Sequence, residues 1–213
     1  MLAGQRQLGP GGNEVMLFPL DVMYITQGEA PAHGGTLCMD FVGWSPQTGQ
    51  ILLYPYYAPC SCTCVAKGNA GDWVVFTSDN PVWCADGVLR TVTWQQGHDN
   101  TPCNVGDHFD QGDLIGHTGT RGQVTGDHLH FNTVAGTYQG WDTTTYSQSQ
   151  LVNSMHIYDC CYVNDTILYH DLDYPWVIYD GPGPGPSYVR RGRFPWVLYS
   201  RKLRGKHNYH KKR

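Results

Sequence analysis

The 213-residue chain is poor in charge: Asp, Glu, Lys and Arg make up 15% of it, against roughly 25% in ordinary soluble domains. No run approaches the ~18 apolar residues of a membrane span. The stretch Met16–Leu20 is too short for the apolar core of an export signal, and no basic segment leads into it. No segment keeps a 3.6-residue apolar period over a dozen positions, so neither long helices nor a coiled coil are expected. Eight cysteines fall below the density of a disulfide scaffold. The sequence contains no His-Glu-x-x-His, no Gly-x-Ser-x-Gly, no phosphate-binding loop with its Lys and no dinucleotide glycine fingerprint. Nucleotide-binding α/β domains, nucleophile-elbow hydrolases and helical zinc proteases are thereby set aside.

What is present points to strands. Apolar residues are 40% and aromatic residues 13% of the chain, with 26 glycines and 13 prolines. That mixture can bury a core and punctuate it often, which suits many short strands joined by tight turns. Strand candidates recur at Val15–Leu20, Thr36–Val42, Ile51–Tyr57, Trp73–Ser78, Leu89–Trp94 and His128–Val134. Between them lie turn-rich stretches such as Lys67–Asp72 and Gly106–Gly126. Residues 1–13, ending in Gly9-Pro10-Gly11-Gly12-Asn13, are expected to form a flexible leader. The main β-rich body is placed at 14–140, a small β-rich extension at 141–180, a Gly-Pro linker at 181–187 and an aromatic, then basic, tail at 188–213. Tyr174-Pro175-Trp176-Val177-Ile178-Tyr179 is echoed by Phe194-Pro195-Trp196-Val197-Leu198-Tyr199, either as two similar packed strands or as a docking element.

The net charge of −4 divides unevenly. Residues 1–189 hold four basic residues against all eighteen carboxylates, a net −14. Residues 190–213 hold the other ten Lys and Arg and no carboxylate, a net +10. Such a tail can bind phosphates in a salt-dependent way, but the −14 body opposes nucleic acid as the main partner. Among the cysteines, Cys60, Cys62 and Cys64 alternate, which puts three thiols on one strand face. They read as small buried hydrophobes of a reduced protein, with a disulfide or a second metal site as the alternatives.

Chemistry concentrates in Gly126-Asp127-His128-Leu129-His130-Phe131. On a strand, residues i and i+2 share a face, so both imidazoles enter one site. Two further groups bear on it: His33-Gly34-Gly35-Thr36-Leu37-Cys38-Met39-Asp40, and His98-Asp99-Asn100 just after a strand. Zinc hydrolases keep three protein ligands and leave the fourth place to water, whose pKa falls to about 7. Spare imidazoles can then carry protons and stabilise an oxyanion.

Together, His33…Asp40, His98-Asp99-Asn100 and Gly126-x-His128-Leu129-His130-Phe131 resemble the lysostaphin/LytM-type zinc metalloendopeptidases that cut peptidoglycan peptides. The closer likeness is to the version carried by bacteriophage tail proteins and lysins. Ile25-Thr26-Gln27-Gly28, Ala58-Pro59 and the series Gly106-Asp107…Gly112-Asp113…Gly119-Thr120…Gly122 fit as well, so the resemblance spans roughly residues 18–136. It implies a mainly β, compact antiparallel-sheet metallopeptidase domain with few helices. It implies Zn2+ held by His33, Asp40 and His130, and His98 and His128 as the catalytic imidazoles. Six residues separate His33 from Asp40, more than in many members, so Asp99 and Asp127 stand as alternative carboxylates. The expected substrate is bacterial peptidoglycan, and phage tail proteins are the expected partners of the C-terminal tail. The expected setting is a phage virion tail, the chain being made in the host cytoplasm without a signal peptide. A free lysin released at lysis and a non-catalytic wall-binding virion protein are the alternatives.

Overall fold

A computed structural model describes residues 6–29, 33, 37–68, 72–99, 103–140, 154–163, 166–170 and 173–179. Within them the chain is built from short strands, as the turn-rich composition anticipates. In order these are β1 (Val22–Gln27), β2 (Met39–Ser45), β3 (Gly49–Ile51), β4 (Pro55–Tyr57), β5 (Cys62–Lys67), β6 (Trp73–Ser78) and β7 (Val82–Trp83). There follow β8 (Leu89–Arg90), β9 (Val92–Gly97), β10 (His108–Phe109), β11 (Leu114–His117), β12 (Leu129–Ala135), β13 (Ser154–Met155), the one-turn helix α1 (Ile157–Cys160) and β14 (Ile167–His170). No helix among the described residues is long and apolar enough to cross a membrane.

The large sheet runs β10-β5-β6-β9-β12-β2-β1-β14, with β13 beside β12 and β3 beside β2. Its pairings are antiparallel except at the edge, where β14 joins β1 in parallel. Two small sheets, β4–β11 and β7–β8, lie off it. One face of the central strands carries Phe41, Phe76, Trp94, Leu129 and Phe131, all fully buried. Phe18 meets Phe41 edge to face at 4.8 Å, and Phe76 stacks on Trp94 at 5.5 Å, geometries that add to simple area burial. The alternation in β12 therefore sends Leu129 and Phe131 into the core and His130 to the opposite face.

Three expectations are revised. Val15–Leu20 is not a strand: it touches its neighbours through isolated bridges, Val15 to Trp83 and Leu17 to Tyr162, while remaining buried. Its backbone groups are shared among several partners instead of one ladder. Residues 6–13, read as a flexible leader, are pinned: Trp83 Nε1 donates to the Pro10 carbonyl at 2.9 Å and Tyr179 Oη to that of Leu8 at 2.9 Å. The described part of 141–180 is no separate extension, because Met155, Ile157, Cys160 and Trp176 belong to the main core. Trp176 reaches Phe18 at 5.8 Å, and Phe18 N–H donates to the Tyr162 carbonyl. The first copy of the aromatic repeat thus packs inward. The second copy, the Gly-Pro linker and the basic tail lie outside the described residues. All eight cysteines are buried and none is in a disulfide.

Candidate active site

Two neighbouring strands deliver the first pair of polar groups. His130 on β12 stands directly opposite Asp40 on β2, and the His130 Nδ1 to Asp40 Oδ1 distance is 3.0 Å. His33, from the connection between β1 and β2, bonds through Nδ1 to the Gly28 carbonyl at 2.8 Å. That contact turns its Nε2 inward, 3.2 Å from the same Asp40 Oδ1. The three ligand atoms all lie within 4.8 Å of one another. A tetrahedral ion with bonds of about 2.1 Å separates its ligand atoms by about 3.4 Å, so the set has the right spacing. Asp40 Oδ1 is buried, yet no aligned hydrogen bond satisfies it despite two nitrogens at this range. Two imidazole nitrogens and a carboxylate oxygen are donor types that a zinc-like dication takes, and the donor set fits one.

Electrostatics agree with geometry. Burial works to raise the Asp40 pKa, but the adjacent imidazoles of His130 and His33 outweigh it and hold the carboxyl well below its usual range. Burial depresses His130, which keeps it neutral and able to coordinate. For His33, burial is overcome by the Asp40 carboxylate and the pKa rises.

The other two imidazoles stand against this group. His98 follows β9 in the left-handed region, with φ of 73°, a conformation uncommon for a residue with a Cβ. Arg121 N–H donates to its carbonyl at 3.1 Å, and its own Nδ1 meets the Arg121 carbonyl at 2.8 Å. Burial pushes its pKa down to about 4, helped by the nearby His128 and His130. The main chain of His128 pairs with that of Gly119 in both directions at 3.1 Å. Its Nδ1 bonds the Gly126 carbonyl at 2.9 Å, and its Nε2 is 3.6 Å from Asp40 Oδ2. The His98 and His128 rings are 4.5 Å apart. Both therefore place Nδ1 on a backbone carbonyl.

All five residues singled out from the sequence come together here. Asp99 and Asp127, the alternative carboxylates, do not join the triad: each is engaged elsewhere, Asp99 by Tyr56 and Asp127 by Thr118. Trp73 was missed. It packs edge-on against His98 at 4.6 Å and His130 at 5.1 Å, walling the site from β6. Gly97 makes room for it, since a Cβ there would overlap the indole ring. The one available signal was a glycine placed directly before His98. Of the remaining imidazoles among the described residues, His108 pairs with Asp79 at 2.8 Å and His156 with Glu29 at 2.6 Å, and His170 Nδ1 bonds the Ile25 carbonyl.

Fold and side chains thus give a β-sheet protein in which two histidines and one carboxylate are grouped closely enough that they could hold a metal ion, with two further imidazoles beside them. No family model matches the chain. Over 173 residues, 79% of its length, it is 44% identical to the Morphogenesis protein 1 of Bacillus phage B103. That match covers 45% of the relative, so the chain spans about half the length of this curated protein. Among solved structures, it is similar to a zinc containing peptidase from Vibrio cholerae, with 19% identity, 58% of this chain and 37% of that one covered, and a TM-score of 0.42. The antimicrobial peptidase lysostaphin from Staphylococcus simulans gives 22%, 62%, 46% and 0.42 in the same order. The catalytic domain of the prophage-encoded M23 protein EnpA from Enterococcus faecalis gives 18%, 59%, 91% and 0.37.

Proposed function

We propose that the chain is a lysostaphin/LytM-type zinc endopeptidase that hydrolyses peptide bonds of bacterial peptidoglycan, carried on a phage tail and acting during genome delivery. The observation that carries this reading is the convergence of His33, Asp40 and His130, with His98 and His128 in ring contact beside them. The phage setting is supported by the relative named for morphogenesis. Attachment to tail proteins is assigned to the net +10 segment 190–213, which suits an acidic partner surface.

His33 would bind zinc through Nε2, Asp40 through Oδ1 and His130 through Nδ1. Bound there, zinc would supply Lewis acidity toward a carbonyl oxygen and would lower the pKa of a water to about 7. His98, kept neutral by burial, is suited to take the proton of the attacking water through Nε2. His128, in its protonated form, is left to donate to the developing oxyanion. The water oxygen bonds the carbonyl carbon, the carbon–nitrogen bond breaks, and His98 passes the water proton on to the departing amine. The Nδ1 contacts of both imidazoles hold the ring orientation.

Zymography on purified cell walls, with and without a chelator, tests the proposal when joined to mass spectrometry of the released muropeptides. New peptide termini that vanish on chelation are expected. Wall binding without new termini would overturn the enzymatic reading and leave the non-catalytic alternative.

A further inference from the structure

The two aspartates that flank the free imidazoles both turn into the same small element. Asp99, one residue after His98, accepts from Tyr56 Oη at 2.5 Å and from the His117 N–H at 3.2 Å. Tyr56 is fully buried, and its oxygen accepts in turn from Gln96 Nε2 at 2.8 Å. Asp127, one residue before His128, accepts from Thr118 Oγ1 at 2.5 Å and from the Leu53 N–H at 3.2 Å. The Thr118 oxygen accepts from the Tyr54 N–H at 2.8 Å. Tyr56 and His117 lie on β4 and β11, and Tyr54 and Thr118 extend that pair by one step through the Thr118 N–H to Tyr54 carbonyl bond. Gly119, the next residue, holds the main chain of His128.

From this convergence we propose that the two-stranded β4–β11 sheet sets the two acid–base imidazoles in register with each other, with Asp99, Asp127, Tyr56 and Thr118 as positioning residues. The proposal rests on the endopeptidase reading of the same site. Short bonds to a buried carboxylate are strong and directional. A left-handed backbone at a residue such as His98 persists only where its surroundings over-determine it. Asp99 supplies that constraint on one side and Arg121 on the other. The site at Asp99 is shaped for this purpose: a Cβ at Gly116 would overlap its carboxylate. Because one small sheet grips both aspartates, a disturbance at Asp127 is transmitted to His98.

Thr118, fully buried, gives the discriminating test. Thr118→Val keeps the shape and removes the hydroxyl, whereas Thr118→Ser keeps the hydroxyl and leaves a methyl-sized void. Positioning predicts that Thr118→Val lowers kcat on a wall-derived peptide by about tenfold to a hundredfold, with KM and zinc content unchanged, and that Thr118→Ser restores most of the loss. A merely packed threonine predicts the reverse order, serine worse than valine, and that order would overturn the proposal. Imidazole NMR provides an arm independent of turnover. In Thr118→Val the ring resonances of His98 and His128 are both expected to move, and an unmoved His98 resonance also overturns the proposal. A wild-type protein that cleaves no wall peptide would sink the endopeptidase reading alone, since the NMR arm still tests the β4–β11 sheet.

Discussion

Replacing Gly97 with alanine presses on the wall of the site. Gly97 stands opposite His130 on one neighbouring strand and Trp73 on the other, and carbons of the indole already fill the space into which a Cβ would project. The ring has little freedom to yield, being 6% exposed and wedged against His98 and His130. Carbon atoms pack at about 3.5–4.0 Å, so ring or strand must retreat by about 1 Å or more. Overpacking of this kind costs about 1–3 kcal/mol, and in a domain of this size each kcal/mol lowers Tm by about 2–4 °C. A fall of about 2–12 °C is therefore expected by calorimetry. Displacement of about 1 Å at a reacting group also lowers kcat by about a hundredfold, read by hydrolysis of a wall-derived peptide. Adding Trp73→Leu gives back part of the lost stability, because the smaller side chain vacates the contested volume. A Gly97→Ala protein with wild-type Tm and kcat would refute the reasoning.

Acid should unfold the protein partly through His98. Its folded pKa of about 4 lies below the ordinary 6.5, so between these values the unfolded chain binds a proton that the folded chain refuses. The stability tied to neutral His98 is complete above about pH 6.5 and drains away as pH falls toward about 4; urea titrations should show this slope flattened in His98→Gln. The thiols give a second check. Burial raises the pKa of Cys60, Cys62 and Cys160, so an aromatic disulfide reagent should find these three unreactive in the native protein and all eight thiols in denaturant. Fast native labelling of Cys60 would contradict the burial argument. Removing residues 190–213 is expected to leave hydrolysis of soluble peptides intact and to weaken co-sedimentation with phage particles. Loss of hydrolysis in that truncation would show that the tail does more than attach.

The site was more legible than the fold around it. His128 and His130 needed only the two-residue period of a strand, and β12 and β6 fell where apolar alternation placed them. Asp40 was less evident, because its role depends on a β2–β12 register that no local pattern encodes. β9 extends through Gln95 and Gln96, polar residues that ended the expected strand early, yet all six of its residues are buried in mid-sheet. The apolar run Val15–Leu20 misled in the opposite sense, since burial alone does not supply a partner for a ladder. The placement of the described residues between 154 and 179 against the core, and the parallel β1–β14 edge, arise from contacts more than a hundred residues apart. Trp73 was invisible as a site residue because an aromatic on a strand reads first as core.

Zinc content and hydrolysis of peptidoglycan, measured on the same preparations of wild type, His130→Ala and His128→Ala, address the central claim most directly. The wild type is expected to hold one zinc and cleave. His130→Ala should lose both metal and cleavage, while His128→Ala should keep the metal and lose cleavage. Equal loss of zinc in the two variants, or full cleavage by the metal-free protein, would contradict the account.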